Sequence, residues 1–182
     1  LKGRNVSVPR SFYVYMLAVA LNTIGLVPVA LILYKASFFF ANWIVPLIYL
    51  VVQGVDASIA LVAGYAYDRL GVRFLALPFL LAVVPSVLTV VGNDALTIIM
   101  ATVFFGLVLG MQESIYRAAV ADLAPIASRG RAYGIFSVVY GVGFLIGGAI
   151  FGFFLDFKVY AFAAIFYTLI VQFLALLSLS LL

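Results

Sequence analysis

The sequence has no cysteine and no histidine, and only 9% of its 182 residues are charged. Without cysteine there are no disulfides, thiolate metal sites or cysteine nucleophiles. Without histidine, Ser-His-Asp chemistry and the commonest transition-metal ligand are excluded. The three lysines, Lys2, Lys35 and Lys158, stand outside the long apolar runs, which argues against a buried Ser–Lys pair. Soluble domains carry about 25% charged residues. Sixteen charged side chains leave most of a globule this size greasy, so a water-soluble enzyme is excluded.

What the chain has instead is apolar residues, 68% of the total. At about 20 residues per crossing, its length holds six membrane helices with short connections. The apolar runs predict spans at residues 12–34, 43–67, 74–91, 95–121, 131–155 and 160–182. In hydrocarbon each span must satisfy its own backbone polar groups, which favours helices. The alternation of a membrane β-barrel is missing from runs such as residues 74–84. The fold class is therefore all-α, a polytopic membrane protein of six transmembrane helices. Residues 1–11 form a cytoplasmic basic segment and residues 12–182 the membrane domain.

The net charge of +4 is not a nucleic-acid signal, because the basic residues cluster between apolar runs. Lys2, Arg4 and Arg10 lie in the tail, Arg69 and Arg73 in the second break, and Arg129 and Arg131 at the fourth. Lys35 and Lys158 occupy the opposite side. Seven against two puts both termini in the cytoplasm. Leu1 is not an initiator and no signal peptide is visible, so the chain reads as a piece of something longer.

Polar residues inside spans are costly unless they face protein or water. The third span offers only Ser86 and Thr89, and the sixth Thr168, Gln172, Ser178 and Ser180, so these two helices are expected to face lipid. Asn22 and Thr23 in the first span, Gln53, Asp56 and Ser58 in the second, and Gln112, Glu113, Ser114 and Arg117 in the fourth point to an interior. The fifth span carries Gly141, Gly143, Gly147, Gly148 and Gly152, small-residue strips for close helix contact. This sorting fits an inverted repeat of three plus three helices, as in transporters. Pro78 and Pro85 read as packing kinks. Pro28, three residues after Gly25 and close to Asn22 and Thr23, is either a kink or part of a site.

Asp56 lies about 20 Å into the second helix, near mid-bilayer. Its readings are a protonation, ion or substrate site, with Gln53 and Asn22 as neighbouring hydrogen-bonding groups, or a structural contact to a neighbouring helix. Glu113 and Arg117 stand four apart in the favoured order for an ion pair, structural or gating, with direct contact to substrate or proton as the alternative.

The second break runs Gly64-Tyr65-Ala66-Tyr67-Asp68-Arg69-Leu70-Gly71-Val72-Arg73. Gly71 suits the positive φ of a tight turn, and Asp68 can accept from exposed backbone N–H groups. The stretch resembles the signature loop G-x-x-x-D-R-x-G-[RK]-[RK] of the major facilitator superfamily, with Val72 in place of a basic residue. Gly110 to Arg117, then Ala121-Asp122-Leu123-Ala124-Pro125 and Arg129 to Gly134, are similar to the fourth helix, loop and fifth helix of a C-terminal half. The antiporter signature G-x-x-x-G-P is absent, since Gly148 follows Gly147. The resemblance implies the C-terminal six-helix half of a secondary transporter of a small solute, proton- or ion-coupled, in the plasma membrane. Its partners are the bilayer, the substrate, H+ or another coupling ion, and an N-terminal six-helix half. It needs no nucleic acid and no cofactor. Gly64, Asp68, Arg69, Gly71, Arg73, Glu113, Arg117 and Arg129 would form its gating network, with Asp68 capping or pairing near the start of the fifth helix. Asn22, Gln53, Asp56 and Gln112 would contribute this half's share of the cavity. The alternative is a six-helix scaffold, sensor or assembly partner without transport. A membrane enzyme is a weaker reading, with no catalytic dyad or metal-ligand cluster in view.

Overall fold

A computed structural model describes residues 8–156 and 161–182. Lys2, Arg4, Lys158 and Tyr160 therefore lie outside the described residues, as does most of the expected break at 156–159. The described residues are helical, with no strand among them. The helices are α1 (Arg10–Ile24), α2 (Val29–Ala36), α3 (Val45–Leu70), α4 (Ala76–Leu81), α5 (Val83–Val91), α6 (Ala95–Met111), α7 (Arg117–Leu123), α8 (Arg129–Asp156) and α9 (Ala161–Leu179). They make five stretches long and apolar enough to cross a membrane: Arg10–Ala36, Val45–Val91, Ala95–Leu123, Ile126–Asp156 and Ala161–Leu179.

Val45–Val91 joins the expected second and third spans into 47 residues. At 1.5 Å per residue a straight helix of that length would reach about 70 Å, over twice the hydrocarbon thickness. The stretch is not straight. Gly71 sits at φ 62°, the sole positive φ among the described residues, and a 3₁₀ turn follows over Gly71–Leu75. A residue without Cβ takes that conformation at little cost. Close contacts reveal the chain directions on either side. A Cβ on Gly106 would meet the Val52 carbonyl at 2.8 Å, one on Gly110 the Asp56 carbonyl at 2.5 Å, and one on Gly64 Ser114 Oγ at 3.0 Å. Numbers rise together, so α6 runs parallel to α3, and the chain between them returns.

The same reading orders the rest. Gly143 and Gly147 of α8 seat against Thr23 and the Ile24 carbonyl of α1, and Gly148 against Pro28, so α8 runs parallel to α1. On α9, Tyr167 reaches Ile24 and Gln172 reaches Asn22, so α9 runs antiparallel to it. One apolar cluster gathers Phe12, Tyr15, Tyr67, Leu75, Tyr116, Val120 and Ala132 at the end that holds Gly71. A second gathers Leu26, Ile32, Ile48, Ala82, Ile98, Phe105 and Phe151 towards the other. Between lipid-immersed helices such contacts act through packing rather than expulsion of water, so small residues at the crossings matter most.

The third and sixth spans each have an outward and an inward face, and their polar residues lie on the inward one. Ser86, Thr89, Thr168 and Gln172 are buried at 0–1% exposure, while Phe162, Phe166, Leu169 and Phe173 look outward. Counting polar residues per helix missed that they share one face. Thr168 and Gln172, with Ala164 and Ala175, recur at helical spacing and form that inward strip.

The break between α1 and α2 is compensated by side chains of neighbouring helices. Leu26 N–H turns back to the Thr23 carbonyl (3.3 Å), which releases the Asn22 carbonyl, and Pro28 has no N–H to offer Ile24. Gln172 Nε2 donates to the Asn22 carbonyl at 3.0 Å, and Tyr167 Oη to that of Ile24 at 3.0 Å. Val27 N–H donates to Ser86 Oγ at 3.0 Å, and the single Ser86 hydroxyl proton is shared between the Ala82 carbonyl (3.1 Å) and the Gly25 carbonyl (3.3 Å). Side chains from α5 and α9 thus replace the lost helical bonds, as a break at membrane depth requires. Gly25 is fixed by that arrangement, since a Cβ there would stand 2.9 Å from Gln172 Nε2.

Candidate functional site

At the level of this break, four elements meet in one buried hydrogen-bond network. Asn22 Oδ1 accepts from Gln112 Nε2 (2.8 Å) and Tyr116 Oη (2.7 Å). Asn22 Nδ2 donates to Gln172 Oε1 (2.8 Å), and Tyr140 Oη donates to Gln112 Oε1 (3.0 Å). Tyr15 Oη adds a bond to the Tyr116 carbonyl at 3.1 Å. Asn22, Gln112 and Gln172 are at most 1% exposed, and every fully buried side-chain N or O among the described residues has a partner. Asn22 and Gln112 were predicted to share a cavity and do lie together. Gln172, Tyr116 and Tyr140 were missed, because the tyrosines counted as aromatic and Gln172 stood on a helix taken as lipid-facing.

The remaining candidates sit on a different side. Gln53 is exposed and makes no hydrogen bond with Asn22 or Gln112. Asp56 lies on α3 where Gly110 crosses it, at 9% exposure. Glu113 and Arg117 are exposed and do not pair with each other. The cause is local: Gln112–Tyr116 form a π-helical turn, whose i→i+5 bonding turns residues four apart away from each other. Tyr140 of α8 reaches this turn through its bond to Gln112, the residue before Glu113. Its ring is stacked on Phe136 at 5.5 Å and set edge-on to Phe144 at 5.0 Å. Gly134 and Gly141 of α8 and Gly54 of α3 have nothing within 4 Å of an added Cβ. Only 17% of the apolar window of Ile126–Asp156 is buried, against 50% for Arg10–Ala36. The face formed by α3, the π turn and α8 is therefore open, and its Asp56, Glu113 and Arg117 have no hydrogen-bond or ion-pair partner among the described residues.

At the Gly71 end, Asp68, Arg69 and Arg73 are exposed around the turn. The Arg69 guanidinium lies 4.4 Å from the Tyr65 ring centroid. Asp68 makes no bond to the start of α8 among the described residues. Instead Tyr67 Oη donates to Asp122 Oδ2 (3.0 Å), tying α3 to α7. Arg129 Nη2 donates to the Ala121 carbonyl (2.9 Å), and Tyr133 Oη to that of Arg117 (3.2 Å). A cation on the last carbonyls of α7 complements the helix dipole. The opposite end holds a cleft of about 770 Å³ lined by Tyr34, Lys35, Phe38, Phe154 and Asp156 among others. There Lys35 Nζ donates to the Thr89 and Val90 carbonyls at 2.5 and 2.9 Å, closing the end of α5. No three acidic groups among the described residues come together as a metal site.

A family model described as the Major Facilitator Superfamily matches residues 11–182. Uncharacterized proteins from two strains of Mycobacterium tuberculosis and one of Mycobacterium bovis are 30% identical over 155 residues. That alignment takes in 84% of this chain but 38% of theirs, so the chain spans less than half their length. No solved structure matches.

Proposed function

The chain belongs to the major facilitator superfamily of membrane transporters, and from that premise we propose that it is one six-helix half, the C-terminal one, of a secondary carrier for a small solute. Val45–Val91 crosses the bilayer twice, returning at Gly71, which makes six crossings in a three-plus-three repeat. Both termini face the cytoplasm of a cell whose plasma membrane holds the carrier. A second six-helix half faces α3, the π turn and α8, and the two halves rock about the cavity between them. Substrate and a coupling proton or ion bind in that cavity.

The observation that supports this best is the open face. Asp56, Glu113 and Arg117 stand at membrane depth with no hydrogen-bond or ion-pair partner among the described residues, a costly arrangement unless water or a ligand meets them. In the gating network, Asp68, Arg69, Arg73, Arg129 and the Tyr67–Asp122 bond bias one state over the other rather than touch substrate.

The test is solute flux by the full-length protein in reconstituted vesicles. Asp68→Asn reaches the membrane but reduces flux severely, whereas wild-type flux in that variant removes the gating role. Asp56→Asn changes the pH dependence or coupling of uptake. An intact, correctly inserted protein that moves no solute would favour the scaffold reading, for which the uncovered glycines of α8 are the feature in hand.

A further inference from the structure

The direction of every bond in the buried network follows from one group that cannot reverse. The Asn22 carbonyl, released where α1 breaks, only accepts, so Gln172 must present Nε2 to it and Oε1 to Asn22 Nδ2. Asn22 Oδ1 is thereby left for Gln112 Nε2, and Gln112 Oε1 for Tyr140. An amide oxygen carries no proton, so Tyr140 spends its single O–H inward. Any group that meets Tyr140 from the open side finds only lone pairs.

The neighbours of Tyr140 have the same character. Asp56 is only 9% exposed yet has no hydrogen-bond or ion-pair partner among the described residues. Fully buried side-chain polar atoms all have partners, so the exposure that Asp56 retains belongs to its carboxylate oxygens. Glu113, exposed one turn further along the parallel helix, is unpartnered as well. Ionised carboxylates accept and cannot donate. Arg117, exposed at the start of α7, pairs with neither among the described residues.

We propose that this face binds a cationic hydrogen-bond donor, a protonated amine of the substrate, seated among Tyr140 Oη, Asp56 and Glu113. The inference rests on the carrier reading and names the substrate class for it. Acceptors and negative charge together select against anions, and against quaternary cations that have no N–H to give. A charge-assisted bond to each carboxylate anchors the amine, and the bond from amine to Tyr140 fixes its orientation.

The test uses the full-length carrier purified in detergent, with melting temperature as the readout of binding. The probes are ethylamine, putrescine and tyramine, each beside its trimethylammonium and alcohol counterpart, with succinate as the anion. At least one amine raises the melting temperature while its two counterparts do not. Asp56→Asn weakens that amine about tenfold to a hundredfold, the loss of a bond to a charged group. Glu113→Gln, at an exposed position, weakens it as well and serves where Asp56→Asn does not fold. A counterpart as effective as its amine, a shift from succinate alone, or no shift from any amine overturns the proposal. Flux in vesicles is measured separately. An amine shift without flux keeps the binding site and removes the carrier. Flux of a neutral or anionic solute without an amine shift does the reverse.

Discussion

Two regions at the same depth treat polar groups in opposite ways. Where α1 meets α9 and the π turn, Asn22, Gln112 and Gln172 bury their amides completely, and every amide nitrogen and oxygen has a partner. Where α3, the π turn and α8 face outward, Asp56 and Glu113 have no hydrogen-bond or ion-pair partner among the described residues. A matched network fixes helices to one another. An unmatched one is costly to hold in a bilayer and retains its capacity for something outside the chain. Stability should therefore belong to the first region and activity to the second, and substitutions can separate them.

The largest effect is expected at Asn22. Asn22→Leu keeps the shape and removes the partners of Gln112 Nε2, Tyr116 Oη and Gln172 Oε1. Three bonds at the average of about 0.6 kcal/mol found between membrane helices give about 2 kcal/mol, and the orphaned groups raise the cost towards about 4 kcal/mol. Thermal unfolding in detergent should show a marked fall in midpoint. An unchanged midpoint would mean that the buried network is not what holds these helices.

The two faces of α8 offer a second contrast. A methyl group on Gly147 meets the Ile24 carbonyl at 2.9 Å, whereas one on Gly141 meets nothing within 4 Å. Gly147→Ala should destabilise by about 1–3 kcal/mol, because backbone cannot move aside. Gly141→Ala should be neutral or gain up to about 1 kcal/mol from helix propensity. Equal damage at both positions in the full-length protein would show the open face to be packed rather than open.

The open side itself should respond in activity alone. Glu113→Gln removes a charge with no partner, so unfolding should stay within about 0.5 kcal/mol of the parent, while flux changes in rate or in pH dependence. A stability loss as large as that of Asn22→Leu would erase the distinction between the regions.

How far these regions were visible in the sequence depends on the residue. The break at Gly25–Pro28 was visible because proline removes a known bond, and Asn22 was suspect because an amide in an apolar run needs a partner. Gly71 was visible because the turn after Asp68-Arg69 requires a residue that takes positive φ. Gln172 could have been found from its spacing with Ala164, Thr168 and Ala175, which marks an inward face. The π turn was not readable. Gln112–Tyr116 have ordinary helix-forming character, and the wider turn is fixed by contacts from afar, with Tyr15 on the Tyr116 carbonyl and Tyr133 on that of Arg117. Its consequence, the parting of Glu113 from Arg117, was invisible for the same reason. The pairing of Gly106 and Gly110 with α3 escaped notice because attention went to the glycine-rich fifth helix, and spacing does not say which neighbour a strip will meet.

The smallest effect lies outside both regions, at the start of α6, where burial and membrane play no part. Asp94 is the N-cap: its carboxylate accepts from Thr97 N–H at 2.9 Å and from Thr97 Oγ1 at 2.7 Å. Those hydrogen bonds, the side-chain one first, hold its carboxyl below the usual carboxylate range. A depressed folded-state pKa contributes stability above the unfolded value, about 3.9, and loses it as pH falls through the folded value. Asp94→Asn keeps a competent cap without the charge. The parent should therefore melt slightly above Asp94→Asn at neutral pH, with the gap closing as pH falls below about 4. Melting curves of the two proteins across that range decide it, and a gap that widens in acid would show that the Thr97 bonds do not favour the charged carboxylate.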